Sequence, residues 1–436
     1  MNRRTFLLTT AATVTLPSFG FAAGRRVLRA EPVSVQLLPE GAPATDMWGF
    51  SGSMPGPEIR VRQGQTIDLS FENTLPQPSS IHWHGIRIDN AMDGVPGLTQ
   101  GAVPSNGTFD YRFTAPDAGT YWYHSHDRSW EQVARGLYGP LIVEEATPPD
   151  VDHDLTVLID DWRISETGEQ AGDYDSRHDQ AHAGRLGNYA RALITATAQV
   201  RQGDRIRLRL INVATDRVFP VDVTGVNGVV VALDGMPLTA PEPLTRLVLA
   251  PAQRVDIIAD VDAAEDVEFF FPANDTPYLL GRIVVNGINN ARSPTEFAPL
   301  PANRIAKPDL ANATKLDLVM QGGAMTRRMM SGNGVWALND ISGMGEAPMW
   351  QFEPGQTARI TLRNDTRFAH GIHLHGHHFH ELDPNGNPGA MRDTTLVEAG
   401  EQRDILCVFD NPGKWLLHCH MLGHQAAGMK TWVQVA

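Results

Sequence analysis

Residues 200–212 read VRQGDRIRLRLIN, and the phrase returns as VRQGQTIDLSFEN at 61–73 and as FEPGQTARITLRN at 352–364. Each copy has a turn ending in glycine (Gly64, Gly203, Gly355), then apolar and polar residues in alternation, then asparagine. Alternation of period two is the mark of a strand with one face buried. The copies lie roughly 140–150 residues apart, a spacing that gives each its own domain. The closing strands repeat too, at 136–143, 280–285 and 428–435. Outward from these phrases the chain reads as all-β: three consecutive β-sandwich domains, near 25–146, 150–290 and 305–436, each opened by one copy. Proline-rich stretches at 147–149 and 298–301 are the linkers.

Composition agrees. Thirty prolines and forty glycines are spread over 436 residues, which suits a loop-rich β protein better than a helical bundle. With 42% hydrophobic and 20% charged residues the chain is globular. A net charge of −14 argues against nucleic acid or an anionic membrane as the main partner. At the N-terminus, Asn2-Arg3-Arg4-Thr5-Phe6-Leu7-Leu8 leads into an apolar, threonine-rich run ending at Ala23. Paired arginines before a short apolar stretch predict a twin-arginine signal at 1–23. The expected partner is the twin-arginine export machinery and the expected location the periplasm. The run is too short for a stable membrane insertion. The two cysteines, Cys407 and Cys419, invite a disulfide in an exported chain. Cys419 lies between two histidines and has a better use; Cys407 reads as a buried strand residue.

Four histidine clusters stand out: His82-Trp83-His84-Gly85, His124-Ser125-His126, the run from His370 through His373 and His375 to Gly376, and His418-Cys419-His420 followed by His424 and Met429. On a strand, residues two apart share a face. Each His-x-His pair therefore offers two imidazoles side by side, and in His418-Cys419-His420 the thiolate faces the other way. One strand can thus serve two metal sites. His370, Cys419 and His424, with Met429 as a weak axial ligand, suit an electron-transfer copper site. The eight remaining histidines suit a cluster of several metals.

The clusters also align with one another. Ser79 matches His370, Ser125 matches Cys419, Trp130 matches His424 and Leu137 falls near Met429. The first domain therefore keeps its histidine pairs but lacks the thiolate site. The middle domain has only His153, His178 and His182, none in a matching motif. The expectation is one mononuclear site in the third domain and one cluster shared between the first and third.

At these residues the chain resembles the three-domain multicopper oxidases, the group of laccases, cuprous oxidases and bilirubin oxidase. The resemblance covers everything after the leader. It implies three cupredoxin-like Greek-key domains, the middle one without copper, and four copper ions. By match to the motifs, His370, Cys419, His424 and Met429 hold type 1 copper, and His82 and His373 hold type 2 copper. His84, His124, His126, His375, His418 and His420 hold the type 3 pair. The implied activity takes one electron at a time through the exposed edge of His424, passes it along Cys419 to His418 and His420, and reduces dioxygen to two waters. Asp93 matches an acid that many relatives keep beside the cluster for proton delivery. Gly423, directly before His424, offers no side chain for that task.

The donor is a small molecule of the phenolic or aromatic kind in the laccase-like reading, or Cu(I) in the cuprous reading. A copper-free structural relative is the third possibility, against which the complete ligand set weighs. Six methionines lie in 320–349: Met320, Met325, Met329, Met330, Met344 and Met349. Thioethers bind Cu(I), and they also fill cores and loops.

Overall fold

The computed structural model describes residues 26–195, 199–262, 264–273, 276–292, 295–324 and 334–436. The leader expected at 1–23 and three of the methionines, Met325, Met329 and Met330, lie outside these residues.

The repeated phrase folds the same way three times. Its glycine turns at a positive φ of 81°, 89° or 88°, which glycine adopts without steric cost. The strands that follow are Thr66–Asn73, Arg205–Asn212 and Gln356–Asn364. Each has a parallel neighbour on one side (Arg26–Val35, His153–Trp162, Thr314–Gly322) and an antiparallel one on the other (Thr108–Thr114, Arg254–Asp260, Gln402–Phe409). The parallel neighbour comes earlier in the chain, so the phrase supplies an inner strand and does not open its domain as expected. A second sheet packs over each, giving three cupredoxin-like sandwiches.

The terminal asparagine of each copy has a shared structural reason. Asn73, Asn212 and Asn364 are buried, and each side-chain oxygen accepts the backbone N–H two residues on. Each amide nitrogen donates to carbonyls of two other segments: Gln77 and Val103, Arg217 and Leu249, Phe368 and Val397. One side chain thus satisfies three backbone groups at a corner that no ladder reaches.

Alternation holds along Thr66–Asn73 and fails along Arg205–Asn212, which is buried on both faces. The polar face of the middle strand lies against the first domain. There Arg207 meets Glu145 and Asp256, while Arg209 meets Asp154, Asp256 and the Thr120 hydroxyl. Paired charges replace water on that face.

Two second sheets carry the histidines. In the first domain His82–His84 pairs antiparallel with Gly119–His124, setting His82 opposite His124. In the third, His370–Leu374 pairs with Gly413–Cys419, setting His373 opposite His418 and Ile372 opposite Cys419. No helix of the described residues is long and apolar enough to cross a membrane.

Candidate metal centre

Strand parity sorts the side chains of the third domain. His370 and His373 are an odd number apart and face opposite ways; His373 and His375 share a face. Cys419 Sγ lies 3.7 Å from His370 Nδ1 and 3.8 Å from His424 Nδ1, and those two nitrogens are 3.0 Å apart. His418, one residue earlier, turns away, and its Nε2 lies 3.1 Å from His375 Nε2. Met429 is fully buried, and its backbone bonds both Cys419 and His424.

The other histidines converge between the first and third domains. Donor atoms of His82, His84 and His373 lie within 4.8 Å of one another, as do those of His84, His124 and His420, and those of His126, His375 and His418. All ten cluster and thiolate-site histidines of the four motifs are buried. Among the described residues, His377, His378 and His380 join no such group. His153 pairs with Asp204, and His178 and His182 lie on the surface of the middle domain.

Whether these residues fit a metal can be read from their outer hydrogen bonds. Nδ1 of His82, His124, His373 and His418 each lies 2.8–2.9 Å from a backbone carbonyl, of Asp93, Ser125, Asp393 and Cys419 respectively. A carbonyl only accepts, so each Nδ1 carries the proton and each Nε2 presents a lone pair. Nε2 of His82, His124, His126 and His373 has no hydrogen-bond partner, nor has either nitrogen of His420. His84 is reversed: Nε2 meets Asp393 at 3.2 Å and Nδ1 is left bare. Bare buried nitrogens in this number are costly without a ligand.

Two close contacts sharpen the fit. His375 Nδ1 donates to the Asp93 carboxylate at 3.0 Å, which leaves its Nε2 lone pair facing that of His418. His424 Nε2 donates to the His182 carbonyl at 2.6 Å, and His370 Nε2 lies 2.9 Å from the Thr366 hydroxyl, whose own proton goes to Asn364 or Phe368. Their Nδ1 lone pairs therefore also face each other. A cation between such nitrogens turns repulsion into coordination. Two nitrogens and a thiolate suit copper in one place, and imidazole alone in the other.

The protonation states agree. Burial, and then a neighbouring imidazole, holds His84, His124, His126, His370, His375, His418 and His420 well below the ordinary histidine range. Burial takes His424 down to about 4 against the opposing His182 bond. These rings are neutral and ready to bind. The Cys419 thiol is pushed up to about 12 by burial. Metal must displace its proton, so thiolate-site affinity is expected to rise about tenfold per pH unit near neutrality. Copper titrations of the metal-free protein between pH 6 and pH 8, following the thiolate band, check this; a flat profile contradicts it.

The first domain shows what replaces a thiolate site. Ser79 and Ser125 hydroxyls sit 3.4 Å apart, and both donate to Gln132 Oε1. The sequence alignment put Trp130 in the place of His424, but its indole reaches out to Asp175 and Gln132 fills the space.

Burial corrects one expectation. His424 has no exposed edge: it is 0% accessible, beneath the middle domain. Carbonyls of Gln180, Ala181 and His182, at the end of the helix Arg177–Ala181, accept in turn from Trp336 Nε1, Ala324 N and His424 Nε2. Trp336 also lies over the His424 ring at 4.3 Å. Gly423 has its reason as well. Its N–H donates to the buried Asp216 carboxylate, and a Cβ there would come within 3.1 Å of the same oxygen.

Asp93 is where the motif match placed it, its carbonyl on His82 and its carboxylate on His375. Sequence reasoning missed its counterpart. The Asp393 carbonyl receives His373 Nδ1, and its carboxylate crosses to His84. Each aspartate thus ties its own domain's first histidine to the other domain's second. Burial alone would raise the Asp393 carboxyl; Arg254, then His84, outweigh it and hold the group well below the usual carboxylate range. Asp93 follows His84 by nine residues and Asp393 follows His375 by eighteen, because the hairpin Phe379–Leu382 and Pro388–Arg392 intervenes. The internal repeat was the available signal, and the insertion hid it.

Family models described as multicopper oxidase match residues 33–148, 154–291 and 310–436. Multicopper oxidase MmcO of Mycobacterium tuberculosis is 31% identical over 454 residues, covering 94% of this chain and 87% of its own length. Laccase-1 of Botryotinia fuckeliana is 27% identical, covering 87% of this chain and 77% of its own. A copper resistance protein A homolog of Pseudomonas syringae pv. tomato is 26% identical, with 88% of each chain covered. The crystal structure of Lac15 from a marine microbial metagenome superposes with a TM-score of 0.83 at 57% identity, over 94% of this chain and all of that one.

Proposed function

The chain belongs to the multicopper oxidase family, and on that premise we propose that it couples four one-electron oxidations of a donor to reduction of dioxygen to two waters. The observation that carries this is the set of buried lone pairs, fixed by outer hydrogen bonds, that converge on two places joined by Cys419. His370, Cys419, His424 and Met429 would hold the type 1 ion, His82 and His373 the type 2 ion, and His84, His124, His126, His375, His418 and His420 the type 3 pair. Bound copper supplies the redox chemistry, single-electron uptake at the thiolate site and dioxygen reduction at the histidine cluster.

The chain's own residues do the rest. Cys419 is bonded through its backbone to His418 and His420, a covalent path from one site to the other. The outer carbonyls fix the ring orientations before metal arrives. Asp93, on the His375 and His82 rings, holds a carboxylate where protons are needed. Among the described residues its ion-pair partners are the His82 and His375 rings, with no arginine or lysine. The expected leader supports periplasmic action after export in the folded state.

The donor docks over the helix Arg177–Ala181, since that segment covers His424. Relatives named laccase support a phenolic or similar aromatic donor. A second reading, Cu(I), is favoured by the rings of His178, on that helix, and His182, directly after its end, stacked 4.1 Å apart with His178 largely exposed. Two neighbouring imidazoles can share a metal ion. Oxygen uptake with a phenol and with Cu(I) as alternative donors separates the two. In the phenolic reading His178→Ala leaves phenol turnover near wild type and Cu(I) is a poor donor. A Cu(I) rate far above the phenol rate, with a raised KM for Cu(I) in His178→Ala, would transfer the assignment to a cuprous oxidase.

A further inference from the structure

Asp93 and Asp393 occupy matching places on the cluster but differ in one respect. The Asp393 carboxylate is gripped by both ends of a guanidinium, Arg254 Nη1 at 2.9 Å and Nη2 at 2.6 Å. Arg254 belongs to the middle domain, which contributes no histidine to either site. Its Nε donates to the Thr120 carbonyl of the first domain at 3.0 Å, and Nη1 also donates to the Ala252 carbonyl of its own domain at 3.1 Å. One fully buried side chain therefore bonds all three domains. The first domain is shaped to admit it. Gly85, which closes the His82-Trp83-His84-Gly85 motif, has a φ of +86°, and a Cβ there would stand 2.2 Å from Arg254 Nη2 and 2.5 Å from Asp393 Oδ2.

We propose that Arg254 is a positioning residue for the histidine cluster: the middle domain sets the geometry of a site to which it gives no ligand. This rests on the oxidase reading above and deepens it. A bidentate guanidinium fixes the plane of the carboxylate as well as its place. The fixed Oδ1 then holds His84 Nε2, which leaves His84 Nδ1 aimed at the donors of His124 and His420. The same residue's carbonyl orients His373. Thr394, whose hydroxyl donates to Asp393 Oδ1, adds a further contact at 3.1 Å from His373 Nδ1. Without Arg254 the carboxylate is buried and unpaired, and it must turn or take up a proton. His84 and His373 then lose the orientation that faces them into the cluster. The thiolate site lies on the other face of its strand and owes nothing to this pair.

The test uses the full-length copper-loaded protein as wild type, Arg254→Met, Arg254→Lys and Asp393→Asn. Each is read by copper per chain, by the blue thiolate band, by the magnetic signature of the cluster, and by thermal unfolding of the metal-free form. In Arg254→Met the blue band stays while the cluster's copper affinity falls about 10–100-fold. Arg254→Lys restores part of it, because an ammonium cannot grip two oxygens and two carbonyls in one plane. Asp393→Asn keeps the side-chain shape, gives the same loss, and decides the matter should Arg254→Met not fold. A full copper complement and an unchanged cluster signature in these variants, with only the unfolding temperature lowered, overturns the proposal. A wild-type protein with neither blue band nor cluster signature overturns the oxidase reading, and this proposal with it.

Discussion

Cys419→Ser is expected to abolish the blue colour and to bring oxygen consumption down to the uncatalysed background, while copper remains at the histidine cluster. The reason lies in one strand. Cys419 faces His370 and His424, while its neighbours His418 and His420 face the cluster. Serine fits the space but is a hard, weakly acidic ligand where a soft thiolate is needed. The first domain already carries the experiment's outcome in miniature, since Ser79 and Ser125 there hydrogen-bond to Gln132. Copper retained by the variant belongs to the cluster, so the count per chain falls by one site only. Wild-type turnover in Cys419→Ser would refute the path through this residue.

Asp93→Asn is expected to slow oxygen turnover about 100-fold, within the usual range for loss of a general acid or base, and to leave donor oxidation at the thiolate site unchanged in rate. The amide can still meet His375 and His82, so the rings keep their places, but it cannot carry a proton. Rapid-mixing measurements separate the two half-reactions: bleaching of the blue band by donor, and its return with oxygen. Slow return with normal bleaching is the expected pattern. Equal slowing of both would make Asp93 a structural contact, and no slowing would remove it from proton delivery.

Much of this was legible in the chain. The phrase at 61–73, 200–212 and 352–364 announced three like domains, and strand parity in His418-Cys419-His420 announced two sites on one strand. The asparagine that ends each phrase was visible as a repeat, yet its reason, a three-point grip on backbone at a corner, exists only in three dimensions. What stayed hidden lies between domains. Arg207 and Arg209 hold the polar positions of a strand read as buried on one face, and they meet Glu145 and the Thr120 hydroxyl of a neighbouring sandwich. His424 read as exposed through the resemblance; its cover comes from Trp336 of its own domain and from 180–182 of the middle one. Arg254 and Asp393 are 139 residues apart in sequence and belong to no motif. Local patterns report on the sheet a residue belongs to and say little about the domain that lies against it.

Four single electrons gathered and spent together on one dioxygen would leave no peroxide. The direct measurement is the ratio of donor oxidised to dioxygen consumed, with hydrogen peroxide assayed in the same vessel. A ratio of four with no peroxide is expected for a cluster that carries dioxygen through to two waters. A ratio of two with stoichiometric peroxide would contradict it, and the converging lone pairs of His82, His84, His373, His375, His418 and His420 would then need a different use.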